Sequence, residues 1–106
     1  MGYEIEFVNL ARERTDGHEK ASAIYTFSIS NGVTKTHANA ILTYGGAEII
    51  EQGGKDPKTA AKIALDRLLK SGRDPFETKI FLHIPHGHAE YFSKHGNYDS
   101  LPVLTD

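Results

Sequence analysis

The chain has 106 residues, 14 acidic and 12 basic side chains for a formal net charge of −2, and no cysteine. This length gives one domain with one core, spanning 1–106, and excludes a multidomain enzyme. Without cysteine, the chain has no disulfide framework, no thiolate nucleophile and no Cys-ligated metal site. The near-balanced charge provides no basic field for a nucleic acid, so we expect no nucleic-acid partner.

The distribution of apolar residues gives no sign of a membrane segment. No window approaches the roughly 20 apolar residues that cross a bilayer. The first residues, Met-Gly-Tyr-Glu-Ile-Glu, lack the basic and then apolar order of a signal peptide. We therefore predict a soluble, cytoplasmic protein that does not engage a membrane.

The first predicted element is a strand near the N-terminus. Tyr3, Ile5 and Phe7 alternate with acidic residues, which is the period of two typical of a strand with one solvated face. The polar stretch 11–20 follows without clear periodicity, so we expect a loop there.

A hairpin is predicted next. Tyr25, Phe27 and Ile29 alternate with hydroxyl side chains and indicate a second strand over 24–29. Asn31-Gly32 follows, and these residue types readily take the positive φ angles of a type I′ turn. The β-rich segment 33–44 is then the third strand.

The middle of the chain contains two glycine pairs and a strong helix signal. Residues 47–51, between the pairs, fit either a bulged continuation of the third strand or a short extra strand. Asp56 is a good N-cap, Pro57 suits the first helical position, and 59–71 carries one apolar stripe. Gly72 is expected to end this helix.

The C-terminal third is predicted less completely. Residues 78–84 alternate and form a fourth strand that ends at Pro85. The segment 86–95 fits a short helix, a strand or a loop. Residues 97–106 are expected to form an extended or frayed tail.

Together these elements predict an α+β fold of two layers. A mostly antiparallel four-stranded sheet, in the order strand, strand, strand, helix, strand, is packed by one main amphipathic helix, with a short irregular C-terminal addition. If the fourth strand pairs parallel to the first, the crossover through the helix should be right-handed.

One cluster of residues has the composition of a metal site. Four of the six histidines and one carboxylate fall within thirteen residues: His83, His86, His88, Glu90 and His95. Imidazole and carboxylate groups bind zinc, nickel and copper, and a site needs three or four ligands within about 2.0 to 2.2 Å of the ion. His86 and His88 share a face if the segment is extended, whereas His88 and His95 do if it is helical. The cluster therefore predicts a metal site only for some conformations.

Two functions follow as hypotheses. The first is a small non-enzymatic binding or regulatory module with a protein partner and no cofactor, because no nucleophile elbow or phosphate loop is present. It would act through an open sheet edge, which also leaves room for a homodimer, or through an aromatic patch of Tyr91, Phe92 and Tyr98. The alternative is a transition-metal protein or small metal-dependent hydrolase that uses the histidine cluster with zinc or nickel.

Overall fold

The first three strands form an antiparallel meander. The computed structural model describes residues 2–14 and 21–106. Strand β1 is Glu4–Arg14, β2 is Ala21–Ser30 and β3 is Lys35–Thr43. The predicted strands are confirmed, but β1 continues through residues 11–14, where the sequence predicts a loop. The rest of that predicted loop lies outside the described residues.

The hairpin between β2 and β3 is confirmed, but its turn is not of type I′. The Asn31 side chain accepts hydrogen bonds from the backbone N–H groups of Val33 (2.9 Å) and Thr34 (2.7 Å). Gly32 has φ 92°, whereas no described residue other than glycine has a positive φ. A type I′ turn requires positive φ at two successive residues. The side chain of Asn31 stabilises a longer connection instead.

Helix α1, Tyr44–Gln52, occupies the segment predicted as a bulge or an extra strand. Thr43 caps it, because its hydroxyl oxygen accepts a hydrogen bond from the Gly46 N–H at 3.0 Å. A Cβ on Gly46 would lie 3.4 Å from the Cβ of Ala89. The strand prediction is wrong because this glycine pair does not interrupt a strand; it permits close packing in the first turn of a helix.

Helix α2, Pro57–Lys70, confirms the predicted main helix. The Asp56 carboxylate accepts a hydrogen bond from the Lys58 N–H at 3.1 Å, which satisfies one of the free amides of the first turn. Gly72 follows the helix with φ 109°. Among the described residues, no helix is long and apolar enough to cross a membrane.

Strand β4, Ile80–His83, completes a four-stranded sheet in the order β1-β2-β3-β4. It pairs with β3, and the pairing is parallel. The sheet is therefore mixed, and the fourth strand does not pair with the first. α1 and α2 return the chain from the end of β3 to the level where β3 begins. The free edge of β3 is then the nearest position at which a parallel strand can pair.

Helix α3, His86–His95, resolves the segment for which the sequence leaves three conformations open. It ends at Gly96, which has φ 72° and is in the left-handed region favoured by glycine. The described part of the chain thus has three helices, and the prediction of a single main helix is wrong.

The tail after α3 is extended but not frayed. Tyr98 is only 1% exposed, and its hydroxyl donates a hydrogen bond to the Ala60 carbonyl at 2.9 Å. The Arg67 guanidinium donates to the Leu101 carbonyl at 2.8 Å. Arg73 and Asp106 form a salt bridge at 2.9 Å. These contacts attach the tail to α2 and to the turn that follows it.

The core lies between the helices and one face of the sheet. Phe27, Leu42 and Leu82 from the strands share it with Leu65 and Phe92 from the helices, and all are nearly inaccessible. The opposite face, the outer sheet face, carries the alternate strand residues. The molecule therefore has two layers, with the helices on one side of the sheet.

Two glycines near α1 predict stability changes of opposite sign. A Cβ on Gly53 would overlap the Ser93 hydroxyl and lie 2.5 Å from the Ser93 carbonyl oxygen. We expect Gly53→Ala to destabilise the protein by about 1 to 3 kcal/mol, because α1 and α3 would have to separate. A Cβ on Gly45 would meet no neighbouring atom within 4 Å, so Gly45→Ala should stabilise the protein by about 0.4 to 1 kcal/mol. Urea denaturation of both variants checks this, and equal effects would contradict it.

Candidate functional site

The predicted metal ligands are divided between β4 and α3. His83 is exposed on the outer sheet face of β4, whereas the other four ligands lie on α3. His86 and Glu90 approach each other, with Nε2 and Oε1 3.2 Å apart. Over residues 2–14 and 21–106, no three histidine, aspartate or glutamate side chains are grouped so that they could hold a metal ion.

The two remaining histidines of α3 have other neighbours. The Nε2 of His88 lies 3.3 Å from the carbonyl oxygen of Pro102. The ring of His95 lies 4.2 Å from the ring of Tyr91. His88 and His95 share one side of α3, as expected for a helix, but they lie two turns or roughly 10 Å apart along its axis. The structure therefore brings together one pair of the predicted ligands.

The predicted aromatic surface patch is not formed. Phe92 and Tyr98 are 2% and 1% exposed, and their ring centroids are 4.9 Å apart within the core. Tyr91 is partly exposed and stacks on His95. The prediction fails because the tail folds back and carries Tyr98 under α3. A role in partner binding remains a prediction for Tyr91.

We expect the histidine segment to contribute little to stability and to bind zinc weakly. The side chains of His86 and Glu90 are about half exposed, and two ligands are fewer than a zinc site needs. The double variant His86→Ala/His88→Ala should change the free energy of unfolding by no more than about 0.5 kcal/mol per site. Thermal melts with and without chelator, together with zinc calorimetry, measure this. Submicromolar zinc binding that the variant loses would contradict the expectation.

A groove that the sequence does not predict runs along the inner side of β1, beside α2. Its central section has a volume of about 420 Å³ and is lined by Phe7, Leu10 and Tyr25. A second section of about 250 Å³ shares Arg12, Tyr25 and Glu51 with the first. We call these two sections the β1 groove.

The apolar floor of the β1 groove reaches solvent. Phe7 is 41% exposed and Val8, at the bulge of β1, is 50% exposed. Lys58 Nζ lies 5.0 Å from the Phe7 ring centroid, and the Arg12 guanidinium lies 5.8 Å from that of Tyr44. Both cations therefore lie against aromatic rings, whereas Glu51 remains exposed.

Side chains of both charges line the β1 groove around the Tyr25 hydroxyl. Burial raises the pKa of Tyr25, and the nearby charges of Glu51 and Asp56 raise this pKa further. Arg12 opposes them with a smaller effect. At the hydroxyl itself the two carboxylates outweigh Arg12 and disfavour a negative charge, although Arg12 and Lys58 also line the groove.

The β1 groove lies along a free strand edge. β1 is at one end of the sheet and pairs with β2 alone. Its eleven residues present outward-facing N–H and C=O groups that no other strand of the described structure engages. Such an edge is a template for another strand. At the other end of the sheet, β4 has only four residues.

One sequence signal points to this surface. The alternation of β1 predicts a buried side for Ile5 and Phe7, but Val8 follows Phe7 directly and breaks the period of two. Adjacent apolar residues in a strand indicate a bulge or a second exposed apolar position. The alternation alone does not reveal that β1 is an edge strand, because edge position depends on pairing.

Comparison of the chain with protein-family models, with curated proteins and with solved structures gives no match. The candidate site therefore rests on its own geometry and chemistry. Its components are a free strand edge, an apolar floor and the carboxylates of Glu51 and Asp56 near the Tyr25 hydroxyl.

Proposed function

We propose that the protein is a non-enzymatic binding module that accepts an extended segment of a protein partner along β1. The observation that carries this proposal is the long free edge of β1 with Phe7 and Val8 exposed beside it. Exposed apolar side chains on a free edge are unfavourable in a monomer unless they serve an interaction.

Binding would proceed by strand addition. The backbone of the segment pairs with β1, and its alternate side chains enter the β1 groove. The bulge at Val8 shifts the register between Phe7 and Asn9, so it divides the edge into 4–7 and 9–14. The segment therefore pairs with one of these two stretches or bends where it passes Val8.

The charge of the groove selects the side chains of the segment. A lysine or arginine that enters beside Tyr25 meets the carboxylate of Glu51 and a phenol oxygen that accepts its hydrogen bond. An acidic side chain at that place meets like charge. The preferred segment thus alternates aliphatic and basic residues.

The test uses two matched peptides, acetylated and amidated at their ends. One alternates valine with lysine, and the other alternates valine with glutamate. We expect the lysine peptide to shift the backbone amide NMR signals of β1 and the Tyr25 region in a saturable titration. The glutamate peptide should bind at least about tenfold more weakly, because like charges disfavour the complex.

Two variants locate the binding. Val8→Ser should weaken the lysine peptide, whereas Val33→Ser, at a 93% exposed valine in the hairpin turn, should not. Glu51→Gln should reduce the preference for the lysine peptide. Equal affinity for both peptides, or shifts elsewhere on the protein, would contradict the proposal.

A further inference from the structure

The outer sheet face has an ordered arrangement of charge. Among the described strand residues, its carboxylates all lie on β1, where Glu4, Glu6 and Glu13 point toward this face. Its lysines lie toward the other side of the sheet: Lys35 belongs to the inner strand β3, and Lys79 precedes β4 with its Nζ 5.6 Å from the ring centroid of the outward-facing Phe81. The β1 edge of the face is therefore acidic, and the β4 edge carries Lys79, with the exposed Glu77 two residues before it.

The middle of this face is suited to burial. Ile24 of β2 and Ile41 of β3 are direct neighbours in the register and form an apolar pair. The Thr26 hydroxyl donates to the Asn39 side-chain oxygen at 2.8 Å, and Asn39 is only 8% exposed. Because these polar groups are already paired and largely dehydrated, covering them costs little.

We propose that the outer sheet face binds a second copy of the chain in a face-to-face dimer. The two-fold axis lies parallel to the strands, between β2 and β3. This operation places β1 of one protomer over β4 of its partner, and β2 over β3. The carboxylates on β1 of each sheet then lie over the edge of the partner's sheet that carries Lys79, which gives the mutual complementarity that a two-fold dimer needs.

The strand register makes the proposed contacts specific. Glu6 is in line with Ser28 and His37 across β1 to β3, and the β3–β4 register continues this line to Lys79. Glu6 therefore faces the Lys79 position of the second copy. Ile24 lies two outward-facing residues from Ser28 on β2, and the two-fold axis places it opposite Ile41 of the second copy. The apolar pair therefore lies inside the interface, and the charges lie at its rim.

The projected area of the face is somewhat smaller than a standard interface, which fits a weak, concentration-dependent dimer. Three strands of nine to eleven residues and the shorter β4 cover roughly 540 Å² in projection, at ~4.8 Å per strand and ~3.3 Å per residue. A standard interface buries about 800 Å² of accessible surface on each partner. Aligned sheets of this kind pack about 10 Å apart. The proposal goes beyond the binding function above, because it uses the opposite side of the sheet.

Sedimentation equilibrium over about 5 to 500 µM tests the assembly. We expect a monomer–dimer equilibrium that weakens as salt is added. Glu6→Lys and Lys79→Glu should each raise the dissociation constant by about tenfold or more, because each places like charges opposite each other. The double variant Glu6→Lys/Lys79→Glu should recover most of the lost affinity, since it exchanges the two charges.

Cysteine cross-linking tests the geometry, and the absence of native cysteine makes it specific. Because sheets about 10 Å apart are too distant for a direct disulfide, an Ile24→Cys protein mixed with an Ile41→Cys protein should form a covalent heterodimer when treated with a short bismaleimide. A Val33→Cys protein mixed with the Ile41→Cys protein is the matched control and should cross-link much more slowly.

Two results would overturn the proposal. One is a protein that remains monomeric at the highest concentration. The other is a dimer that is unaffected by the charge variants and gives no cross-link between positions 24 and 41; this result would point to pairing through the β1 edge instead.

Discussion

Replacing Tyr98 with alanine is expected to lower the free energy of unfolding by about 3 to 5 kcal/mol. The side chain is almost fully buried, and its ring packs on Phe92 with 4.9 Å between centroids. The substitution removes this packing and the hydrogen bond to the Ala60 carbonyl. Urea denaturation followed by circular dichroism measures the loss.

Two other variants separate the contributions of Tyr98. Tyr98→Phe keeps the ring and removes the hydroxyl, so it should cost about 1 kcal/mol. Tyr91→Ala removes a tyrosine that is only partly buried and should cost much less than Tyr98→Ala. A loss below about 1 kcal/mol for Tyr98→Ala would mean that the tail is not part of the core.

The second large effect is expected for Leu65→Ala, at about 2 to 5 kcal/mol of destabilisation. Leu65 is on the buried side of α2 and is inaccessible to solvent. Its removal leaves a cavity between α2 and the sheet, and the size of the loss within this range depends on how far the surrounding side chains relax. Thermal unfolding monitored by calorimetry provides the measurement.

The control for Leu65→Ala is Lys62→Ala on the same helix. Lys62 is exposed, and alanine has the highest helix propensity, so we expect a change within about 0.5 kcal/mol. Similar destabilisation by both variants would show that the effect comes from the helix itself and not from the core.

The two proposed binding surfaces lie on opposite sides of one sheet. The β1 groove opens on the helix side, between β1 and α2, whereas the dimer face carries the outward residues of all four strands. Variants at Val8 and at Lys79 therefore affect different interactions. A dimer built on the outer face would leave both β1 edges free and present two β1 grooves in one particle, which increases avidity for a partner with repeated segments.

The parts of the fold that depend on neighbouring residues could be predicted from the sequence. The alternation of Tyr25, Phe27 and Ile29 predicted which side of β2 is buried, because side chains in a strand alternate between two faces. The Asp56 cap and the Gly72 stop indicated the limits of α2 within two residues of those observed. These signals arise within one turn or one strand of the chain, so the local sequence contains them in full.

The candidate surfaces depended on contacts between distant residues. The sequence showed the histidines close together along the chain, but β4 and α3 send His83 and His95 to different parts of the structure. It predicted alternation in β1, but pairing in the sheet decided that β1 is an edge with Phe7 and Val8 exposed.

The tail also combines a feature that the local sequence predicts with one that only tertiary packing decides. Residues 97–106 contain Pro102 and carry no helix or strand pattern, and this much the sequence predicted. Only the packed helices create the cavity that Tyr98 fills and the carbonyl that its hydroxyl contacts. The sequence by itself therefore determined the type of most elements through local backbone preferences and hydrophobic period. The tertiary structure decided which surfaces remain open, because burial is a property of the assembled layers.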